Sequence, residues 1–464
     1  MTDPDERLAI RRSGVYRLAF TLALIAAVPA LVVKTTDPQL SNVLTALLFG
    51  LAIVGAAFLL SWAAEVAQLD ISAGLSLAVL ALIAVLPEYA VDFVFAWKGG
   101  TSVRLFGPGC PGTDVGDESP CSLALANMTG ANRLLIGVGW ATVVFIAWAR
   151  TRHKRATLPD GHERRPAPWS GIRLERSHAV EVGYLAVATL YSLTLPLKHS
   201  VTLLDSAVLI GLFALYAVRI SRAPAEEPHL VGPAQWLGAF PVRRRRVAVG
   251  ALFAVAGAII VLCAEPFAHA LVETGKEYGI SEFFLVQWLA PLASEAPEFI
   301  VAALFAWRLN TNSALGALVS SKVNQWTLLV GSLPIVFAVA SGGLHGLPIA
   351  GIQREELLLT AAQSLFAVAI LANLRMSLVE ASWIFALFWA QFLTTAFAGE
   401  HLHDEVLLVT SAVYLGAAIV LLARNRHAMG HLLRDGFRTP YAQLVDTGDG
   451  GASGGSTGGV GVGS

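Results

Sequence analysis

The sequence predicts an all-α polytopic membrane protein of about twelve transmembrane helices: two inverted-topology five-helix repeats with one extra helix at each end. Three observations predict it. The 464 residues are 55% hydrophobic and only 14% charged, with mean hydropathy +0.63, a balance foreign to soluble domains. Apolar runs of about 20 residues, the length a helix needs to cross the hydrocarbon core, recur along the chain. No stretch has the short alternating pattern of barrel strands, so backbone pairing inside lipid falls to helices.

The candidate spans are 16–33, 42–66, 73–97, 122–148, 179–195, 202–220, 247–271, 282–307, 313–340, 355–373, 377–397 and 405–423. The first follows Arg7, Arg11 and Arg12 and carries no small-residue cleavage pattern, so it reads as a retained helix rather than a signal peptide. The second closes on Ala64-Glu65, and the seventh on Ala264-Glu265. The third and eighth each carry a Pro-Glu pair inside. The loop 98–121 between the third and fourth holds Asp114, Asp117 and Glu118 with Cys110 and Cys121. Those cysteines either pair, if the loop faces an oxidising compartment, or remain thiols. Cys263 lies in an apolar run and reads as packing. The loops 151–177 and 221–246 are basic, the latter ending in Arg243-Arg244-Arg245-Arg246, and either mark topology or also meet anionic lipid. The Gly/Ser-rich tail from Asp446 reads as disordered.

Charge bias orients the spans. With both termini placed in the cytoplasm of a plasma-membrane protein, most of the 32 Lys and Arg residues fall on that side. Lys34, Lys98, Arg104, Lys198, Lys276 and Arg354 fall outside, and Arg133 and Lys322 lie within spans. The resulting organisation is 1–42, N-terminus and extra first helix; 43–220, first repeat, with its polar motif at 84–139; 221–246, basic loop; 247–397, second repeat, with its motif at 294–331; 398–441, extra last helix and following segment; 442–464, tail.

The repeats show themselves in one motif. Pro87-Glu88-Tyr89 ends ten residues on in Phe95-Ala96-Trp97, and Pro297-Glu298-Phe299 ends likewise in Phe305-Ala306-Trp307, offset by 210 positions without a gap. Upstream, Asp70-Ile71-Ser72 parallels Gly279-Ile280-Ser281. Spans two to six thus correspond to seven to eleven. Repeats of odd helix number insert with opposite topology, the plan of alternating-access transporters. An acid inside a span is costly unless it faces a cavity or a partner, so Glu88 and Glu298 are the first candidate site residues. A proline within a span frees a carbonyl one turn earlier, which places backbone oxygens beside each glutamate. The helix after each Pro-Glu helix carries a second polar cluster, 126–133 and 316–326. Oxygens of amides and carboxylates are what hard cations such as sodium and calcium require. No nucleophile–base pair or metal motif stands in a solvent-exposed setting, which argues against an enzyme, and nothing points to nucleic acid.

These two clusters resemble the calcium/cation antiporter superfamily, the sodium/calcium exchanger-like membrane proteins. Their repeats read roughly Gly-Thr-Ser-x-Pro-Glu-x-x-x-Ser, then Gly-Asn/Asp-x-x-Gly-Ser-Asn-x-x-Asn, an apolar run and Gly. The resemblance spans about residues 43–397. It implies a secondary-active antiporter whose partners are small inorganic cations and the lipid bilayer, with no cofactor beyond transported calcium, sodium or protons. It further implies Glu88 and Glu298 as the central metal ligands, with Asn127 beside them. The departures are specific. Ala84-Val85 and Ser294-Glu295 replace Thr-Ser, Asp92 replaces Ser, Ala317 replaces the amide or acid, and Lys322 replaces an asparagine. The expected ion-binding set is therefore Glu88, Glu298, Asn127, Asp92, Glu295 and Ser294, with Lys322 and Arg133 compensating charge. Glu88 and Asp92 share a helix face at i,i+4, and Glu295 and Glu298 at i,i+3. Four acids crowded out of water make proton coupling an expected property. Three uses follow: exchange of calcium or another cation for sodium or protons; a sodium/proton-type exchanger with Lys322 as internal counter-cation; or a transport-inactive scaffold or sensor closed by Lys322 and Arg133.

Overall fold

The computed structural model describes residues 4–36, 38–70, 86–107, 109–112, 118–156, 169–223, 230, 232–349, 351–397 and 403–445. Outside them lie several expectations: span residues 73–85 with Ala84 and Val85, the Ile71-Ser72 parallel, Asp114 and Asp117, much of the loop 151–177, and the tail. Among the described residues, ten helices are long and apolar enough to cross a membrane. Two further predicted spans are present as helices. Leu86–Phe106 is the described part of the third. Ile352–Leu371 is the tenth, where Gln353, Arg354, Glu355, Glu356 and Gln363 reduce the hydropathy. Its central and C-terminal turns are nonetheless buried in protein, so polar side chains there meet other helices rather than lipid.

Two proline helices and two polar-cluster helices form the centre. Glu282–Trp307 contains Pro291 and Pro297. The fourth span runs Pro120–Leu134, widens into a π-helical turn at Leu135–Trp140, and continues as Ala141–Ala156. The ninth repeats this plan as Thr311–Asn324, a π turn at Gln325–Leu329, and Val330–Ser341. Such widened turns recur at functional sites because they displace the helical register by one residue. Each proline helix packs against the polar-cluster helix of the other repeat as well as its own. Glycines make these crossings close: a Cβ on Gly130 would lie 1.7 Å from the Gln287 carbonyl oxygen, and one on Gly100 2.5 Å from that of Phe337.

Two small antiparallel ladders reproduce the inverted symmetry. Ile172–Arg173, before the fifth span, pairs with Arg375–Met376, between the tenth and eleventh. Ser200–Val201, between the fifth and sixth, pairs with Leu347–Pro348, before the tenth. Each ladder joins one loop of each repeat, and the loops exchange roles between the two. Around this core the second span, Asn42–Ala67, lies along the seventh, Val242–Tyr278. That helix begins in the arginine run, where Arg245 donates two hydrogen bonds to Asp70 at 2.7 and 2.9 Å. These bonds hold the Asp70 carboxyl below its usual range.

Cys110 and Cys121 form a disulfide that closes the loop between the Leu86–Phe106 and Pro120–Leu134 helices. Cys263 is free and buried. After the last span, His403–Arg424, the helix Arg426–Phe437 folds back onto Ala179–Ser192. Asp435 accepts from Arg176 at 2.6 and 2.8 Å, and Phe437 lies against Tyr184.

Candidate functional site

The acids of both repeats converge on one amide. Gln325, in the first π-helical position of the ninth span, donates through Nε2 to Glu88 Oε2 at 3.4 Å and also to Glu295 Oε1. Glu88 belongs to the first repeat and Glu295 to the second, so this side chain ties the two proline helices together. Glu88, Glu295 and Gln325 are buried, and Glu298 is half-buried. The three glutamates lie within one another's electrostatic reach.

Asp92 and Asn127 form the other flank. Asn127 Nδ2 donates to Asp92 Oδ1 at 2.9 Å, both side chains being buried. Ser294 is placed in the same region of the eighth span, yet its hydroxyl donates to the Ala290 and Pro291 carbonyls of its own helix. Pro297 removes the N–H that would bond the Ala293 carbonyl, which leaves a backbone oxygen one turn before Glu298. Glu88 Oε1, Glu295 Oε2, Glu298 Oε2, Asp92 Oδ2 and Asn127 Oδ1 are buried oxygens that accept no hydrogen bond. A buried polar atom without a partner costs about 1–3 kcal/mol, more when charged. All five belong to the two proline helices and the fourth span.

The two basic residues separate. Lys322, fully buried, donates to the backbone oxygen and to Oδ1 of Asn132, each at 2.6 Å, rather than to a carboxylate. It remains within electrostatic reach of Glu295 and Glu88. Arg133 turns away. Its Nη2 lies 2.6 Å from Glu356 Oε2 on the tenth span, both side chains 1% exposed, and its guanidinium stacks over Trp288 at 4.8 Å. Its charge is therefore balanced by Glu356, a residue outside the expected set, and not by the four carboxylates it was expected to offset.

Sequence reasoning passed over Gln325, Asn132 and Glu356. A signal for the first two was present. The π turns begin at Leu135 and Gln325, and Asn132 and Lys322 precede them by three; both pairs are 190 apart. In this register Asn127 corresponds to Ala317, as Asp92 corresponds to Ala302 in the proline helices. Conversely, Glu295 and Gln325 correspond to Val85 and Leu135. Each repeat thus supplies its Pro-Glu acid plus one acid–amide pair, and the pair occupies different positions in the two. Nothing in the sequence marked Glu356, whose partner is 223 positions away by residue number.

The model of the sodium/calcium exchanger protein family matches residues 40–221 and 249–398. A crystal structure of an H+/Ca2+ exchanger, CAX, superposes with a TM-score of 0.80 at 39% identity, covering 93% of this chain and 98% of that one. The crystal structure of the Ca2+/H+ antiporter protein YfkE shares the fold, with a TM-score of 0.52 at 14% identity over 88% of this chain and 99% of that one. A comparison with curated proteins found no match.

Proposed function

The chain belongs to the sodium/calcium exchanger protein family, and on that premise we propose that it exchanges calcium, or another hard cation, for protons or sodium by alternating access. Membership of that family makes it a multi-pass membrane transporter. The choice of ions, the site and the membrane are our reading. The observation that carries it is the Gln325 amide donating to Glu88 and Glu295, which gathers carboxylates of both repeats around oxygens without partners. Protons are favoured as the counter-ion because the similar CAX structure is that of an H+/Ca2+ exchanger.

Among the described residues no group of three His, Cys, Asp or Glu side chains is spaced to hold a metal ion. The proposed set of Glu88, Glu298, Glu295, Asp92 and the Asn127 amide oxygen therefore has to draw together around the cation as it binds. Mixed, incompletely charged oxygens suit a cation in transit, which must bind in one orientation and leave in the other. Protons compete for the same carboxylates, because burying several negative charges together is unfavourable. Binding the cation requires that they be released, and their return expels it. The Ser294 hydroxyl donates to carbonyls of its own helix, which leaves its oxygen lone pairs open to a cation. Active transport over an inactive scaffold is supported by Lys322 donating to Asn132 and not to Glu88 or Glu298. The placement of both termini in the cytoplasm rests on the Lys/Arg bias, and the plasma membrane is proposed beside it.

The test is uptake of labelled calcium and of labelled sodium into proteoliposomes, with and without a pH gradient. Wild type is expected to show cation uptake driven by the proton gradient, and Glu88→Gln and Glu298→Gln to reduce it at least a hundredfold. Absence of cation-dependent flux in wild type sinks the antiporter reading, and unimpaired flux in both variants sinks the site.

A further inference from the structure

Asn132 and Lys322 correspond to each other in the two repeats, three residues before the π turn in each. They are also hydrogen-bonded to each other. In a molecule built on pseudo-two-fold symmetry, a residue touches its own counterpart only beside the axis. The Lys322 ammonium therefore sits where the repeats meet, within electrostatic reach of Glu88 from one repeat and Glu295 from the other. Its stem is four flexible methylenes. An ammonium has three donors, and two are taken by Asn132. Trp326, on the next turn of the same helix, faces it at 5.3 Å.

We infer that Asn132 is a berth for Lys322: it holds the ammonium off the carboxylates while a cation occupies them, and Lys322 moves onto Glu88 and Glu295 when the cation leaves. This rests on the antiporter reading and adds to it a built-in competitor. The chemistry requires something of the kind. Once the cation departs, any carboxylate that the returning protons leave charged sits in a water-poor interior, where each uncompensated charge is costly. Lys322 supplies one positive charge without crossing the membrane. Asn132 is the right type of residue for the resting position. Its two oxygens accept from an ammonium without adding negative charge, so the lysine remains free to go. An aspartate in its place would keep it. Asn132 Nδ2 donates to the Met128 carbonyl on its own helix at 2.9 Å, which aims Oδ1 at Lys322. Asn132 is thus a positioning residue acting through Lys322.

The test is equilibrium binding of labelled calcium, and in parallel labelled sodium, to the purified full-length protein. Four variants are compared with wild type: Asn132→Ala, Asn132→Asp, Lys322→Met, and Asn132→Ala combined with Lys322→Met. Losing the charge-assisted hydrogen bond to Asn132 Oδ1, with the backbone oxygen retained, is expected to weaken cation binding about tenfold in Asn132→Ala, because the ammonium then competes for Glu88 and Glu295. Asn132→Asp and Lys322→Met are expected to tighten it, a direction that misfolding does not produce. The double variant should bind like Lys322→Met alone. Asn132→Ala binding that stays within twofold of wild type overturns the inference. So does a defect that persists in the double variant, which would give Asn132 a purely structural role. Binding with the expected order but without flux leaves the berth standing and removes antiport; a wild type that binds neither ion overturns both.

Discussion

Removing Arg133 alone should be far more damaging than removing it together with Glu356. The pair is 2.6 Å apart with both side chains 1% exposed, so each charge depends on the other for compensation. Arg133→Met leaves the Glu356 carboxylate buried on the tenth span, which packs against the fourth and the twelfth. It also removes the stacking on Trp288 and the 3.5 Å hydrogen bond to Gln391. Breaking one side of a buried ion pair costs about 3–5 kcal/mol, and a cation over a desolvated aromatic face contributes about 2 kcal/mol. The single variant is thus expected to lose about 5–7 kcal/mol. Arg133→Met with Glu356→Leu abolishes both charges while roughly keeping volume, and such replacements are often neutral. The double variant should lie within about 2 kcal/mol of wild type, the residue being the lost stacking. The assay is reversible unfolding in mixed micelles, followed by tryptophan fluorescence, with calcium affinity measured on the same samples. A double variant as unstable as the single would refute the reasoning. Calcium affinity altered in the double variant would show that Arg133 serves the ion site after all.

Other consequences are checked more briefly. Gln325→Leu removes the donor shared by Glu88 and Glu295 and leaves two carboxylates to repel; calcium uptake in proteoliposomes is expected to fall at least tenfold, with Gln325→Asn restoring less than half. Replacing Cys110 and Cys121 by serine opens a short loop, which should lower unfolding stability by about 2–3 kcal/mol while leaving calcium affinity unchanged. At the C-terminal helix, the hydrogen bond from Arg176 holds the Asp435 carboxyl below the usual carboxylate range. A depressed value means that the clamp is complete above the ordinary carboxylate pKa and is lost as pH falls through the lowered one. Hydrogen exchange of residues 426–437 should therefore accelerate only in strong acid, and Asp435→Asn should show the fast exchange at neutral pH as well.

Much of the framework was legible because it is written in local pattern. Spans announce themselves by length and hydropathy, since lipid forbids other solutions. Glu88 and Glu298 stood out because an acid in such a run is expensive. The tenth span was readable from its apolar run although Glu355, Glu356 and Gln363 dilute it, but what those polar side chains meet was not. Gln325 and Asn132 sat inside a cluster already singled out. Their importance depended on the 190-residue register shared by the two π turns, and a widened turn has no residue signature of its own.

By itself the sequence determined the helical membrane class, the inverted pairing of its halves, and the two glutamates at its middle. Each of these follows from periodicity, hydropathy and repetition along one chain. Only the tertiary structure decided which partner each buried charge takes. Arg133 pairs with Glu356, Lys322 rests on Asn132, and one amide joins Glu88 to Glu295. The reason is that a charge inside a membrane takes whichever partner packing brings within a few ångströms. Packing brings together residues hundreds of positions apart through glycine-tight crossings that no local pattern reports.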